Sequence, residues 1–196
     1  MLCVCMQIMQ TLKPTIIISC NASPSSMQAI PESAIRTMSK HCNRPIIFAL
    51  SSPTAEVSAA QAYHWSGGKA MYANFEGQQE EVTTPHGQVL TPSKVQSVYI
   101  FPGIALGTCV SRSTRIKEEQ IVAAARAVAS MVSEEDRELG RVLPPASKLH
   151  AVAKQVAVVT AKTAYEYGVA TALPKPADMT EMIESFVHDP SYERFG

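Results

Sequence analysis

Three hydroxyl-bearing residues fall within four positions at Ser51-Ser52-Pro53-Thr54, directly after the apolar run Ile46-Ile47-Phe48-Ala49-Leu50. Hydroxyls both donate and accept hydrogen bonds. The carboxyl end of a strand in a parallel sheet is where such folds bind ligands. Placed there, this rim can hold an amide, a carboxylate or a phosphate oxygen. Chains also leave sheets through Ser and Pro for purely conformational reasons. The four residues alone leave both readings open.

Little else in the chain competes with that rim. His41, His64, His86, His150 and His188 stand apart, with no partner at metal-ligand spacing. His64 lies on a helical stretch and His86 beside Gly87 in a loop, and both read as packed or solvated. Cys3, Cys5, Cys20, Cys42 and Cys109 are odd in number and include no C-x-x-C pair. They read as reduced thiols, not as a zinc site. Glu80 and Glu81 are adjacent in a polar loop, where carboxylates solvate, and Lys94 reads as an exposed loop lysine. No G-x-G-x-x-G, phosphate-loop or G-x-S-x-G motif occurs. The stretch Ser19-Cys20-Asn21-Ala22-Ser23-Pro24 has no glycine, although its backbone N–H groups can still face a ligand. By themselves the residues nominate no catalytic group and no metal ligand.

The elements that must position the rim are read from periodicity. Thr15-Ile16-Ile17-Ile18-Ser19 is a continuous β-branched run, expected as a strand buried on both faces. Pro31 is expected at the first position of a helix reaching residue 41, with Ala34, Ile35 and Met38 inward. A second strand carries the run at 46–50. Residues 56–65 read as a helix with Val57, Ala60, Gln61 and His64 on one stripe, ended by Gly67-Gly68. A third strand spans 69–73. Strand, helix, strand, helix, strand at this spacing predicts an α/β fold with a parallel sheet.

Residues 74–94 read as a long polar loop that can hold a small hairpin. Val98-Tyr99-Ile100-Phe101 is an apolar run ending at Pro102-Gly103. Helices follow: 118–132, with Ile121, Val122, Ala125, Val128, Ala129 and Val132 on one face; 147–167, ending at Gly168; and a last one capped by Asp178. The charge run at 134–138 reads as a solvated helix face.

Bulk properties narrow the class. Apolar residues make up 46% of the 196 and charged ones 17%, a globular composition, and the net charge is formally zero. Without a basic face, nucleic acid and anionic membrane are not expected partners. No apolar run approaches the roughly 20 residues of a membrane helix. Residues 1–10 are apolar but lack a basic flank and an A-x-A site, so no secretory signal is expected. Cytoplasm is the default compartment, with organelles left open.

Four segments, in order, resemble the C-terminal part of the malic enzymes, which oxidatively decarboxylate malate to pyruvate with NAD or NADP and a divalent metal. They are LKPTIIIS; RPIIFALSSPTAEVSAAQAYHWSGGKAMYA; VYIFPGIALG; and the stretch from LPPASKLHAV to ALPKPADM. The resemblance covers about residues 11–196. It implies a partial Rossmann-like sheet over 1–103 and C-terminal helices over 104–196 of one unit. It implies cofactor contacts at Asn21, Ser51, Ser52 and Pro53, and malate contacts at Ser52, Gln96 and Ser97.

Departures from the family pattern concentrate at those positions. The asparagine of S-N-P-T is Ser52 here, and the P-G-Q-A-N-N block reads Pro92-Ser93-Lys94-Val95-Gln96-Ser97. A hydroxyl replaces a longer amide, so hydrogen-bond discrimination should weaken. The family's tyrosine acid, lysine base, metal carboxylates and main glycine motif lie upstream of the matched region. The expectation is therefore a protein unable to decarboxylate malate alone, with an open sheet edge and an exposed apolar face. The alternatives are a non-catalytic dinucleotide-binding or interaction module, and a fragment of a longer enzyme. The family resemblance also implies homo-oligomers or pairing with a full-length homologue.

Overall fold

β-Branched side chains crowd a helical turn and favour extended backbone, and the isoleucines at 16–18 and 46–47 lie on strands. The computed structural model describes residues 2–20, 30–52, 54–75 and 81–187. Two compact units are formed: Met1–Gln96 with Val132–Pro145, and Ser97–Met131 with Ala146–Gly196.

The first unit begins with α1 (Leu2–Leu12), which lies against α2 (Glu32–His41). β1 (Ile16–Ser19), β2 (Ile46–Ala49) and β3 (Met71–Asn74) are parallel, with Ile47 level with Ile17 and Tyr72. α3 (Ala59–Ser66) connects β2 to β3. A hairpin of β4 (Val82–Thr83) and β5 (Val89–Leu90) follows, and then β6 (Ser93–Lys94) joins the main sheet beside β3. The order is β1-β2-β3-β6. Ile35, Ile47, Val57, Ala62, Tyr63, Ala70 and Tyr72 make the core between sheet and helices. Each large one contributes about 1.5–3 kcal/mol by leaving water.

Several expectations need correction. β1 is not buried on both faces: Ile16 is 50% and Ile18 66% exposed. Among the described residues it is the outer strand of the sheet, so only Ile17 reaches the core. Pro31 sits one position before α2, as its N-cap with ψ 153°. α3 starts at Ala59, because Ser58 and Gln61 form a capping box: the Gln61 N–H donates to Ser58 Oγ at 3.2 Å and the Ser58 N–H to Gln61 Oε1 at 3.1 Å. Its buried residues are Ala62, Tyr63 and Ser66, not the expected Ala60-Gln61-His64 stripe. Lys94 is half-buried on β6 and not in a loop.

The second unit is helical. Phe101-Pro102-Gly103 does not end an apolar run but opens α4 (Phe101–Ser111), where Pro is tolerated in the first turn. α5 (Glu118–Ser130), α7 (Leu149–Glu166) and α8 (Met179–Phe186) complete it, with α4 and α5 both packed on α7. A Cβ on Gly103 would lie 2.7 Å from the Ala153 carbonyl oxygen, and one on Gly107 would lie 2.5 Å from that of Ala157. The two glycines thus set the separation of α4 from α7. α5 buries Gln120, Ala124, Ala127 and Val128, which leaves Ile121 and Val122 48% exposed each, against the expected stripe. Gln120 turns the helix: its amide nitrogen donates to the Thr160 carbonyl at 3.3 Å and its oxygen accepts from the Lys117 N–H at 2.9 Å. Asp178 caps α8 as expected, accepting from the Thr180 and Glu181 N–H groups.

Between α5 and α7 the chain contributes α6 (Glu134–Glu138) to the first unit. The charge run there is only partly a solvated face. Asp136 is buried, accepts from the Ser133 hydroxyl at 2.7 Å and pairs with Arg141 at 3.0 Å.

Candidate functional site

All four strands of the main sheet point the same way, so their carboxyl ends share one edge. β1 and β2 exit side by side there, tied by the Leu50 N–H donating to the Ser19 carbonyl at 2.8 Å. β3 and β6 do the same through the Val95 N–H and the Asn74 carbonyl at 2.7 Å. This parallel exit brings Ser51, Ser52 and Gln96 to one end of the first unit. Ser51 is buried, while Ser52, Thr54 and Gln96 are exposed. Ser97 is exposed and opens the second unit. Asn21 and Pro53 lie outside the described residues, as do His188 and Glu80.

The most structured feature of the rim is a residue that sequence reasoning assigned only to a helix start. Glu56 is 6% exposed and its carboxylate faces back into the turn. It accepts the Ser51 hydroxyl on Oε1 at 2.8 Å and the Ser51 N–H on Oε2 at 3.3 Å. Both oxygens act as acceptors, which suits the ionised form. Its signal in the sequence is slight: an acid two positions before a Ser58–Gln61 capping box.

Below the turn lie two buried tyrosines. Tyr72 donates to the Val57 carbonyl at 2.6 Å. Burial pushes its phenol well above the usual tyrosine range; the Asn74 side chain pulls the other way and the Glu56 charge adds to the rise. Tyr63 meets Tyr72 edge to face at 6.2 Å between ring centroids. Its hydroxyl has no hydrogen-bond partner among the described residues, and burial, then Tyr72, raises its pKa likewise.

This geometry leaves Ser52 and Gln96 exposed at the strand-end edge, with the buried Glu56 carboxylate behind Ser51. A buried carboxylate repels a phosphate and favours a ligand's own donors, such as an amide N–H or a sugar hydroxyl. The free, exposed thiol of Cys20 follows β1 at this same end of the sheet. Among the described residues no three His, Cys, Asp or Glu side chains are grouped to hold a metal. The described residues here therefore do not supply a ligand set for the divalent cation that the family resemblance implies. No helix of the described residues is long and apolar enough to cross a membrane.

Comparison with known proteins adds the following. The family model described as "Malic enzyme, NAD binding domain" matches residues 3–165. The chain is 32% identical to the chloroplastic NADP-dependent malic enzyme of Oryza sativa subsp. japonica, over 95% of this chain and 29% of the relative. It is 35% identical to NADP-dependent malic enzyme 1 of Arabidopsis thaliana, over 95% of this chain and 32% of the relative. The chain thus spans about a third of the length of these relatives. Among solved structures, the malic enzyme of Entamoeba histolytica aligns with a TM-score of 0.68 at 20% identity, over 88% of this chain and 32% of that one. The malic enzyme of Pyrococcus horikoshii aligns with a TM-score of 0.64 at 24% identity, over 87% and 34%. At those identities the likeness speaks for the fold.

Proposed function

Since the chain belongs to the malic enzyme family, through that family's NAD binding domain, we propose that it is a dinucleotide-binding module that does not decarboxylate malate by itself. In this reading residues 1–103 carry the nucleotide-facing part and 104–196 the helical remainder of the same unit. Asn21, Ser51, Ser52 and Pro53 face the cofactor, NAD or NADP. Ser52, Gln96 and Ser97 stand where the family's substrate contacts lie. The observation that carries the reading is the shared exit of the parallel strands, which sets Ser51, Ser52 and Gln96 at one end of the sheet.

The Glu56 carboxylate sharpens the role of the rim. Glu56 holds the Ser51 hydroxyl and N–H, so Ser51 shapes the turn and Ser52 presents its hydroxyl to the ligand. The nicotinamide carboxamide or its ribose, both rich in donors, suits that environment better than the pyrophosphate does.

Calorimetric titration of the chain with NAD and with NADP tests this, next to a malate turnover assay with magnesium or manganese. Saturable binding of a dinucleotide without turnover is expected. Ser52→Asn, which restores the longer amide, should tighten that binding. Turnover by the chain alone would overturn the non-catalytic part, and no binding of either dinucleotide would overturn the rest.

The outermost place of β1 in the sheet among the described residues favours a second role. That edge can pair with another polypeptide of the same family. Co-expression with a family member of about three times this length, followed by size-exclusion chromatography, checks it: co-elution supports pairing and separate elution removes it.

A further inference from the structure

A cleft of about 480 Å³ opens at the other end of the same sheet. Its walls come from the segments that lead into β2 and β3, from the β4–β5 hairpin and from the end of α6. Because the strands are parallel, this mouth lies at their amino ends, away from the Ser51–Ser52 rim. It lies wholly within the first unit.

The charge in this cleft is unlike that of the chain. The formal net charge of the protein is zero, yet the lining holds Arg44, Lys69 and Arg137 against a single carboxylate, Glu138. Like charges gathered around a concavity repel one another unless something anionic sits between them. No carboxylate of the described residues pairs with Arg44 or Lys69, and Arg137 reaches only the exposed Glu134 at 3.2 Å.

The other natural partners for these cations are already engaged. The last carbonyls of α6 carry the negative end of the helix dipole. The Arg137 carbonyl accepts from Arg44 Nη2 at 2.8 Å and from the Gly140 N–H at 3.0 Å. The Glu138 carbonyl accepts from Gln88 Nε2 at 3.4 Å, and the Leu139 carbonyl from the Thr91 N–H at 2.8 Å. One bond pins the Arg44 fork across the cleft, and a guanidinium carries further donors beyond that bond. Two apolar residues of the lining, Leu90 and Ala70, are buried at 3% and 2% exposure.

We propose that this cleft binds a small phosphomonoester, its phosphate between Arg44, Lys69 and Arg137 and its organic part over Leu90 and Ala70. A planar guanidinium grips phosphate oxygens in pairs, and an ammonium adds a point charge. The volume falls in the range of small-ligand sites. The proposal is independent of dinucleotide binding at the carboxyl ends.

The test uses the full chain, labelled with nitrogen-15, titrated with inorganic phosphate and with phenyl phosphate against chloride at matched ionic strength. Saturating amide shifts at Gly68, Lys69 and Gly140 are expected, stronger with phenyl phosphate. Lys69→Ala should weaken binding about tenfold, the size of one lost charge-assisted contact, with an unchanged Tm because Lys69 is exposed and outside the core. Lys69→Arg should retain binding. Arg44→Ala is the second variant, read by its affinity only if its melting stays cooperative. Shifts that match those with chloride, shifts confined to residues near Ser52, or a Lys69→Ala protein that binds like the parent would each overturn the proposal.

Discussion

Glu56 reaches back five positions to Ser51, taking that residue's hydroxyl on one carboxylate oxygen and its N–H on the other. The loop between them includes the exposed Ser52. The turn that carries Ser52 is therefore anchored at Ser51 by a carboxylate that is itself buried.

Replacing that carboxylate tests how much it holds. In Glu56→Gln the amide nitrogen confronts one of the two Ser51 donors, leaving a buried group unsatisfied. A loss of about 1–3 kcal/mol is expected, read as a lower urea midpoint with an unchanged m value. Glu81→Gln, on an exposed residue, should stay within about 0.5 kcal/mol. Equal midpoints for the two variants would show that the Ser51 loop stands without its acid.

The buried tyrosines set an alkaline limit. Burial raises the pKa of Tyr63 and Tyr72 above the unfolded value of about 10. Below that value both states keep the phenolic protons and the stabilisation is complete. Above it the unfolded chain releases protons that the folded chain retains, so stability falls as pH rises, by up to about 1.4 kcal/mol per pH unit for each tyrosine. Tyrosinate absorbance should show these two phenols ionising only together with unfolding. Ionisation of every tyrosine before the circular dichroism changes would contradict the burial.

Gly107, like Gly103, is a point of close approach between α4 and α7. A methyl group there meets the Ala157 carbonyl at 2.5 Å and Thr160 Cβ at 2.8 Å, and backbone cannot yield as a side chain does. Gly107→Ala should cost about 1–3 kcal/mol or more, although alanine is the better helix former. A variant as stable as the parent, measured by thermal melting, would mean the helices separate freely.

The two faces of β1 should respond in opposite ways. Ile18→Lys places a charge on the exposed face of an outer strand and should reduce self-association in light scattering with little loss of Tm. Ile17→Lys places the same charge against the core and should unfold the first unit. The same outcome for both would mean that β1 has no inner and outer face.

What the sequence disclosed follows the strength of each local signal. The runs at 46–50 and 69–73 are apolar, short and bounded by turn residues, so β2 and β3 were readable, as were the Asp178 cap and the glycine end of α3. The comparisons bear out the α/β class and the family. The inward faces of α3 and α5 were not readable, because Ala62, Tyr63 and Ser66 fill one and Gln120, Ala124 and Ala127 much of the other, while Ile121 and Val122 point out. Periodicity counts hydrophobicity, but these contacts are decided by how closely two helices approach. The exposure of Ile16 and Ile18 depends on what lies beside β1, which a pattern within the strand does not encode. β6 is two residues long, too short for any alternation. Glu56 carries only a slight local signal, and the Arg44–Lys69–Arg137 cleft arises from positions separated in sequence and joined only by the fold.

The first unit is interrupted: the chain leaves it after Gln96 and supplies its last piece, Val132–Pro145, only later. That piece gives the Ser93 hydroxyl its two donors, the Val142 N–H at 2.8 Å and the Leu143 N–H at 3.2 Å, and gives Arg44 its carbonyl. A ribosome must therefore have released more than the first 145 residues before the strand at Ser93 can be fastened. During synthesis β1, β2 and β3 wait with one side of their sheet unfinished, and the closing contact spans a loop whose entropy resists it. Any cut of the gene that keeps the sheet's residues but drops 132–145 would yield strands without their clasp.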